Sequence, residues 1–196
     1  MINEPKPNKP TIDKAKPEQS EIKTLDMKQI VAMLDEAGVS KNNYEKEWNF
    51  EADIYREIIW RLANIFSKRQ GWGTETTHSE YAADKKTGLV NSLHLCLEFF
   101  EDTEDAERRD YEEFKTFLEQ NILLIPQELR QRFKMYVGFN YGNNGAVVID
   151  DNKIKIIDQD DFMKLPSDGA IGYPNRTTRD KLIDTLADKL ESIIEK

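Results

Sequence analysis

Apolar residues recur at helical intervals near the start of the chain. The segments "MKQIVAMLDEAG" and "NFEADIYREIIWRLANIFSKRQG" both show this period, which predicts two amphipathic helices. Asp26 is the expected N-cap of the first helix. Gly38 and Gly71 are the expected C-terminal stops of the two helices, because glycine readily takes the left-handed conformation that ends a helix.

Two more helices are expected further along the chain. The segment "DAERRDYEEFKTFLEQN" places aromatic residues at helical spacing between charges. The shorter segment "PQELRQRF" follows it, and Pro126 suits the first turn of a helix.

The stretch "GLVNSLHLCLEFFED", residues 88–102, is also predicted to be helical. Its apolar positions form a broad face at helical spacing: Leu89, Leu93, Cys96, Leu97 and Phe100. We therefore expect a central core helix with Leu93 in the middle of its apolar stripe.

From Phe133 onward the apolar residues no longer recur at helical spacing but alternate with other residues, as in a strand. Two turns rich in Asn, Asp and Gly separate "AVVI" from the strands before and after it, and these residues tolerate tight turns. A final helix is expected to cover this sheet, with Thr177 and Thr178 as its cap and an apolar stripe of Leu182, Leu186, Leu190 and Ile193. The predicted fold class is α+β: a helical N-terminal two-thirds, a three-stranded antiparallel meander and a C-terminal amphipathic helix.

Composition divides the 196-residue chain into two parts. Residues 1–24 combine four prolines with Lys, Glu, Ser and Gln and offer little to bury, which predicts a disordered tail. Residues 25–196 are long enough for a single globular α+β domain.

Net charge and cysteine content limit which compartment and which kinds of partner we expect for the chain. A formal net charge of −9 makes nucleic acid an unfavourable partner and favours another protein, one that could be basic. No apolar run is long enough to cross a bilayer or to form a signal peptide, so we expect no membrane partner. The only cysteine, Cys96, lies in an apolar run and fits a reducing compartment. A cytoplasmic location is therefore expected.

His94, Glu98 and Glu101 would share one face of the helix predicted for residues 88–102. Such a face can bind a divalent metal or orient the histidine for proton transfer, which makes these residues catalytic candidates. The alternative is the solvent edge of an amphipathic helix, where His94 contacts Glu98 one turn away.

Clustered aspartates give a second metal candidate at Asp158, Asp160 and Asp161, although aspartates are also common in turns. They follow a predicted strand in "KIIDQDDF".

Two loops supply candidate binding residues. Trp72 and His78 lie in a polar loop and are candidates for partner binding. Trp72 could equally complete the helix cap at Gly71. Arg176 and Arg179 lie at the start of the last helix, after a loop rich in Gly, Pro and Asn, and are candidates for anion binding.

These observations support two hypotheses of different classes. The first is a small acidic interaction protein without catalysis, such as a bacterial or phage regulator, inhibitor or immunity-type partner, with no cofactor. The second is a metal-dependent hydrolase, for example of nucleotides, that uses the His94 cluster with Mg²⁺ or Zn²⁺. No motif is complete enough to decide between an enzyme and a binding protein.

Overall fold

The computed structural model describes residues 24–100, 106–139 and 145–194. Within these residues the α-helices are α1 (Met27–Glu36), α2 (Glu47–Gln70), α3 (Ala106–Asn121), α4 (Gln127–Arg132), α5 (Gln159–Met163) and α6 (Arg176–Ile194). The strands are β1 (Gly73–Ala83), β2 (Val90–Phe100), β3 (Lys134–Phe139), β4 (Ala146–Asp150), β5 (Lys153–Ile157) and β6 (Gly169–Ala170). The predicted tail, residues 1–24, falls almost wholly outside the described residues.

The six described strands form one mixed sheet in the order β5-β4-β3-β2-β1-β6. Only β2 and β3 pair in parallel, and every other neighbouring pair is antiparallel. The predicted fold class is therefore wrong. The chain has a mixed α/β architecture, and β3, β4 and β5 belong to a larger sheet that also contains β1, β2 and β6.

Residues 90–100 form strand β2 in place of the core helix predicted for residues 88–102, of which residues 101 and 102 lie outside the described residues. Leu93, Leu95 and Leu97 point to the main core, while His94 and Cys96 are also buried on the opposite face. A strand buried on both sides reads as a continuous apolar run, which periodicity cannot separate from a buried helix. The polar stretch before it was predicted to be a loop, yet it forms β1.

The helices of the N-terminal half follow the sequence signals. The side chain of Asp26 accepts a hydrogen bond from the backbone N–H of Gln29 at 2.8 Å and so caps α1. Gly71 ends α2 in the left-handed conformation with φ 79°. Trp72 donates its backbone N–H to the Ser67 carbonyl at 2.9 Å, which completes a Schellman cap.

Helix α2 runs beneath one face of the sheet and is the centre of the main core. Most of its apolar side chains are buried against the leucines of β2 and the inward residues of β3 and β4, and its partly buried ones border this core. Helix α6 packs on α2 through Leu182, Leu186 and Leu190. The cap of α6 differs from the prediction: the side chain of Asn175, one residue before the helix, accepts from the Thr178 N–H at 2.9 Å, so neither threonine is the cap.

The opposite face of the sheet has a smaller apolar cluster under α5. Phe162 of α5 packs with Cys96 and Ala146, and Tyr136 borders them. None of the described helices is long and apolar enough to cross a membrane.

Candidate anion-binding cleft

A cleft of about 380 Å³ opens where β1, α2 and α6 meet. Helix α2 supplies Arg56, Glu57 and Trp60, and β1 supplies its polar residues around His78. The segment after β6 and the first two turns of α6 close the other side with Tyr173 and Arg179, among others. The cleft is thus lined by charged and aromatic side chains brought together from distant parts of the chain.

Arg56 is the most constrained cation of this cleft, with only 3% of its surface exposed. Its guanidinium donates to the Asp53 carboxylate at 2.5 Å, to the Ser79 hydroxyl at 3.0 Å and to the Ile171 carbonyl at 3.1 Å. Its Nε has no hydrogen-bond partner among the described residues. These bonds tie α2 to β1 and to the segment after β6, and they fix the charge at the cleft wall.

Two guanidinium groups lie over the ring of Tyr173. The Cζ of Arg56 lies 3.9 Å from the ring centroid and that of Arg179 lies 4.5 Å from it, both within the range of cation–π attraction. Arg179 is exposed, and within the described part of the chain no carboxylate lies within ion-pair distance of it. The ring therefore orients a cation that makes no direct ion pair with a described carboxylate, although its charge also acts on the buried Asp53 and Glu57.

Two buried carboxylates lie behind these cations. Burial raises the pKa of Asp53 to about 6, even though the nearby Arg56 guanidinium lowers it. Burial also raises the pKa of Glu57, which forms an ion pair with Arg61 at 3.2 Å. Both carboxylates form their direct ion pairs with arginines of α2, and Arg179 acts on them only at longer range, so its guanidinium can bind a ligand directly.

A second cleft of about 310 Å³ lies further along the junction between α2 and α6. It is lined by Arg61, Asn64, Ile65, Lys68, Arg69 and Glu191. Lys68 and Arg69 are exposed, and within the described residues neither is in an ion pair. We call the surface that contains both clefts the α2–α6 seam.

The seam is positive although the chain is negative. Its two clefts contain five Arg and Lys side chains against the carboxylates of Glu57 and Glu191, a formal charge of +3, in a chain of net charge −9. Positive groups beside low-dielectric walls concentrate anions locally. An arginine fixed on an aromatic ring is suited to a carboxylate or phosphate, because its planar fork can bind two oxygens at once.

The structure separates the two arginines that the sequence suggested for anion binding. Arg179 lines the first cleft, whereas Arg176 is not among the lining residues. The side chain of Arg176 is 93% exposed, and its Nε lies 3.7 Å from the Asp180 carboxylate. His78 also lines the first cleft, and its Nε2 lies 2.7 Å from the Glu80 carboxylate. Trp72 lies elsewhere, half-buried, with its ring 5.9 Å from that of Phe66.

His94 and Glu98 do not share a helix face, because both lie on strand β2. Four residues along a strand span about 13 Å, compared with about 6 Å on a helix. His94 is buried beside Tyr136, with ring centroids 5.2 Å apart, and burial lowers its pKa. Glu101 lies outside the described residues. The predicted helical arrangement is therefore wrong for His94 and Glu98, while the catalytic role suggested for the three residues stays a prediction.

The aspartate candidates lie at the start of α5. The Asp158 side chain accepts from the Asp161 N–H at 2.8 Å and caps this helix, and Asp160 and Asp161 are exposed in its first turn. Among the described residues no group of three or more His, Cys, Asp or Glu side chains is placed to hold a metal ion.

The sequence reasoning missed Arg56 and Tyr173. Arg56 lies in "EADIYREII", where charges between apolar residues suggest a solvent-facing side of a helix. One signal was available, because "ADIYREII" holds apolar residues on nearly every side of its helix, and such a helix must bury its charged residues with partners. Tyr173 gave no signal beyond its place in a loop.

The chain matches no protein-family model, no curated protein and no solved structure.

Proposed function

We propose that this protein is a non-catalytic interaction protein that holds an acidic group of a partner protein in the first cleft of the α2–α6 seam. The observation that carries the proposal is the position of Arg179 over Tyr173, with no carboxylate of the described residues in ion-pair distance. The sequence-based expectation of a basic partner came from the net charge of the whole chain. The local charge of the seam favours an acidic contact at this point.

Burial of Asp53, Arg56 and Glu57 supports a binding role for this region. All three are at most 3% exposed within one stretch of α2, and charged side chains are almost never buried unless they are paired. Buried ion pairs add little to stability compared with apolar packing of the same volume. Here they hold charged groups in fixed positions along the cleft. Fewer side chains must then lose conformational freedom when a ligand binds.

The proposal is tested by partner capture with charge-reversed variants. Immobilised wild-type protein, Arg179→Glu and Arg176→Glu are each incubated with lysate of the source cell, and bound proteins are identified by mass spectrometry. Arg176 is the matched control because it is exposed, three residues away on α6 and outside the cleft. A specific partner is one that wild type and Arg176→Glu retain and Arg179→Glu loses.

The purified partner then gives the quantitative result by calorimetry. We expect Arg179→Glu to weaken binding by tenfold or more, about 1.4 kcal/mol, and Arg176→Glu to change it by less than about twofold. The melting temperature of each variant confirms that it is folded. Equal affinities for the two variants would refute the cleft as the contact, and a change in the covalent mass of the partner after incubation would refute the absence of catalysis.

A further inference from the structure

The two clefts of the α2–α6 seam follow one another along the same two helices, which bears on what the partner must present. Trp60 lines the first cleft and its neighbour Arg61 lines the second. The ion pair between Arg61 and Glu57, at 3.2 Å, joins one lining residue of each cleft. A ligand longer than a single anionic group can therefore reach both clefts along the same two helices.

The distance between the clefts sets a length for such a ligand. On α6 the first cleft includes Arg179 and the second includes Glu191. Twelve residues of helix correspond to about 18 Å. An extended peptide rises about 3.3 Å per residue, so about five residues cover that distance.

We propose that the partner presents an extended acidic segment with two carboxylates about five residues apart, one held by Arg179 in the first cleft and the other by Lys68 in the second. This inference rests on the proposed function and specifies its partner. Charge complementarity supports it, because the five cations of the seam exceed its two carboxylates. Half-buried Trp60, Ile65 and Ile183 give the intervening residues an apolar surface.

A peptide fits the seam better than a nucleic acid does. Exposed Asp180, Asp184 and Asp188 lie on the same helix as Arg179, and they repel a polyanion that runs past the clefts. Backbone binding to nucleic acid needs several cations in succession and a favourable long-range field, whereas the chain carries a net charge of −9. Two discrete carboxylates need only the two clefts.

The test is an NMR titration of the isotopically labelled full chain with synthetic peptides. The first peptide has two glutamates five residues apart among threonine, serine and valine. The second has one glutamate replaced by glutamine, and the third has the two glutamates adjacent. Inorganic phosphate and a short oligothymidylate are titrated in parallel.

We expect the first peptide to shift amide signals of α2 and α6 at both clefts and to bind at least fivefold more tightly than the other two peptides. Arg179→Glu and Lys68→Glu should each weaken it about tenfold, as expected for the loss of one charge-assisted contact. Lys164→Glu is the control, since it changes the net charge equally but lies at the C-cap of α5, exposed and outside both clefts.

Several outcomes would overturn this inference. They are tighter binding of the oligothymidylate, equal affinity for all three peptides, displacement of the first peptide by phosphate at the same concentration, or no signal shift at millimolar peptide. If Arg179→Glu loses the partner and Lys68→Glu still captures it, the proposed function stands but the contact in the second cleft is refuted. Unchanged capture in both variants would remove the proposed function itself.

Discussion

The ring of Phe162 lies directly over Gly138, so close that a Cβ built on the glycine would be 2.8 Å from Cζ of the ring. This contact brings α5 down onto β3, and Cys96 and Ala146 pack beside it. A methyl group has no room here unless the Phe162 ring shifts.

Gly138→Ala should therefore destabilise the protein by about 1–3 kcal/mol, the usual cost of overpacking. Chemical denaturation measures the change. The cost should fall in the background of Phe162→Leu, whose smaller side chain makes room for the methyl group. If the two substitutions were additive, the contact would not be the cause.

Leu93→Ala should cost about 2–5 kcal/mol of unfolding free energy, because Leu93 is fully buried between the sheet and α2 and its truncation leaves a cavity. Leu89→Ala is the matched control, since Leu89 is 68% exposed near the start of the same strand. It should change stability by less than about 0.5 kcal/mol. Similar losses in the two variants would contradict the assignment of Leu93 to the core face.

His94→Leu should make stability less sensitive to acid. Burial lowers the pKa of His94, although the nearby Glu80 carboxylate partly opposes this. The unfolded chain therefore binds the proton more readily, so wild-type stability falls as pH drops below the ordinary histidine value of about 6.5. Leucine cannot be protonated, and it removes a buried Nε2 that has no hydrogen-bond partner among the described residues.

The His94 prediction is checked by denaturant titrations of both proteins at pH 7 and pH 5. The stability of His94→Leu relative to wild type should increase at the lower pH. An unchanged difference would show that His94 does not titrate differently in the folded and unfolded states.

Asp53→Asn should reveal a pH dependence of the opposite sign. The pKa of Asp53 is raised to about 6 by burial, so the folded protein keeps this proton at pH values where the unfolded chain has lost it. The stabilisation from this group is present at low pH and is lost as pH rises from about 4 to about 6. Relative to Asp53→Asn, wild type should lose on the order of 2–3 kcal/mol between pH 4 and pH 7.

The carboxyl carbon of Asp53 provides a direct check by NMR. Its signal should titrate with a midpoint near pH 6. A midpoint near the ordinary aspartate value would mean that the Arg56 ion pair outweighs burial, and the pH dependence would then disappear.

The sequence predicted the helices whose caps and apolar spacing agree with how they pack in the folded protein. Helix α1 begins after Asp26, α2 ends at Gly71, and α6 buries the leucine stripe that starts at Leu182. In each case the cap or the amphipathic face depends on residues that are close together in the sequence. Burial on both faces of a strand has no such signature, which is why β2 resembled a helix.

The cleft could be predicted only in part for a similar reason. Arg179 was recognisable because it follows a polar loop at a helix start. Arg56 and Tyr173 are separated by more than a hundred residues, and their contact depends on the packing of α2 against the segment after β6. Local sequence patterns carry no information about that packing.

The parallel pairing of β2 with β3 has a consequence for how the chain folds. Residues 92–97 of β2 each pair with a residue 42 positions later, as Ser92 does with Lys134, whereas β1–β2 and β3–β4–β5 are neighbours in sequence. Contacts between distant residues slow folding because a long loop must close before they form. The β1–β2 hairpin and the β3–β5 unit can each form early, and their joining along β2 and β3 is expected to limit the folding rate. Substitutions at this junction should therefore slow refolding, whereas those at the outer edge of β5 should mainly accelerate unfolding.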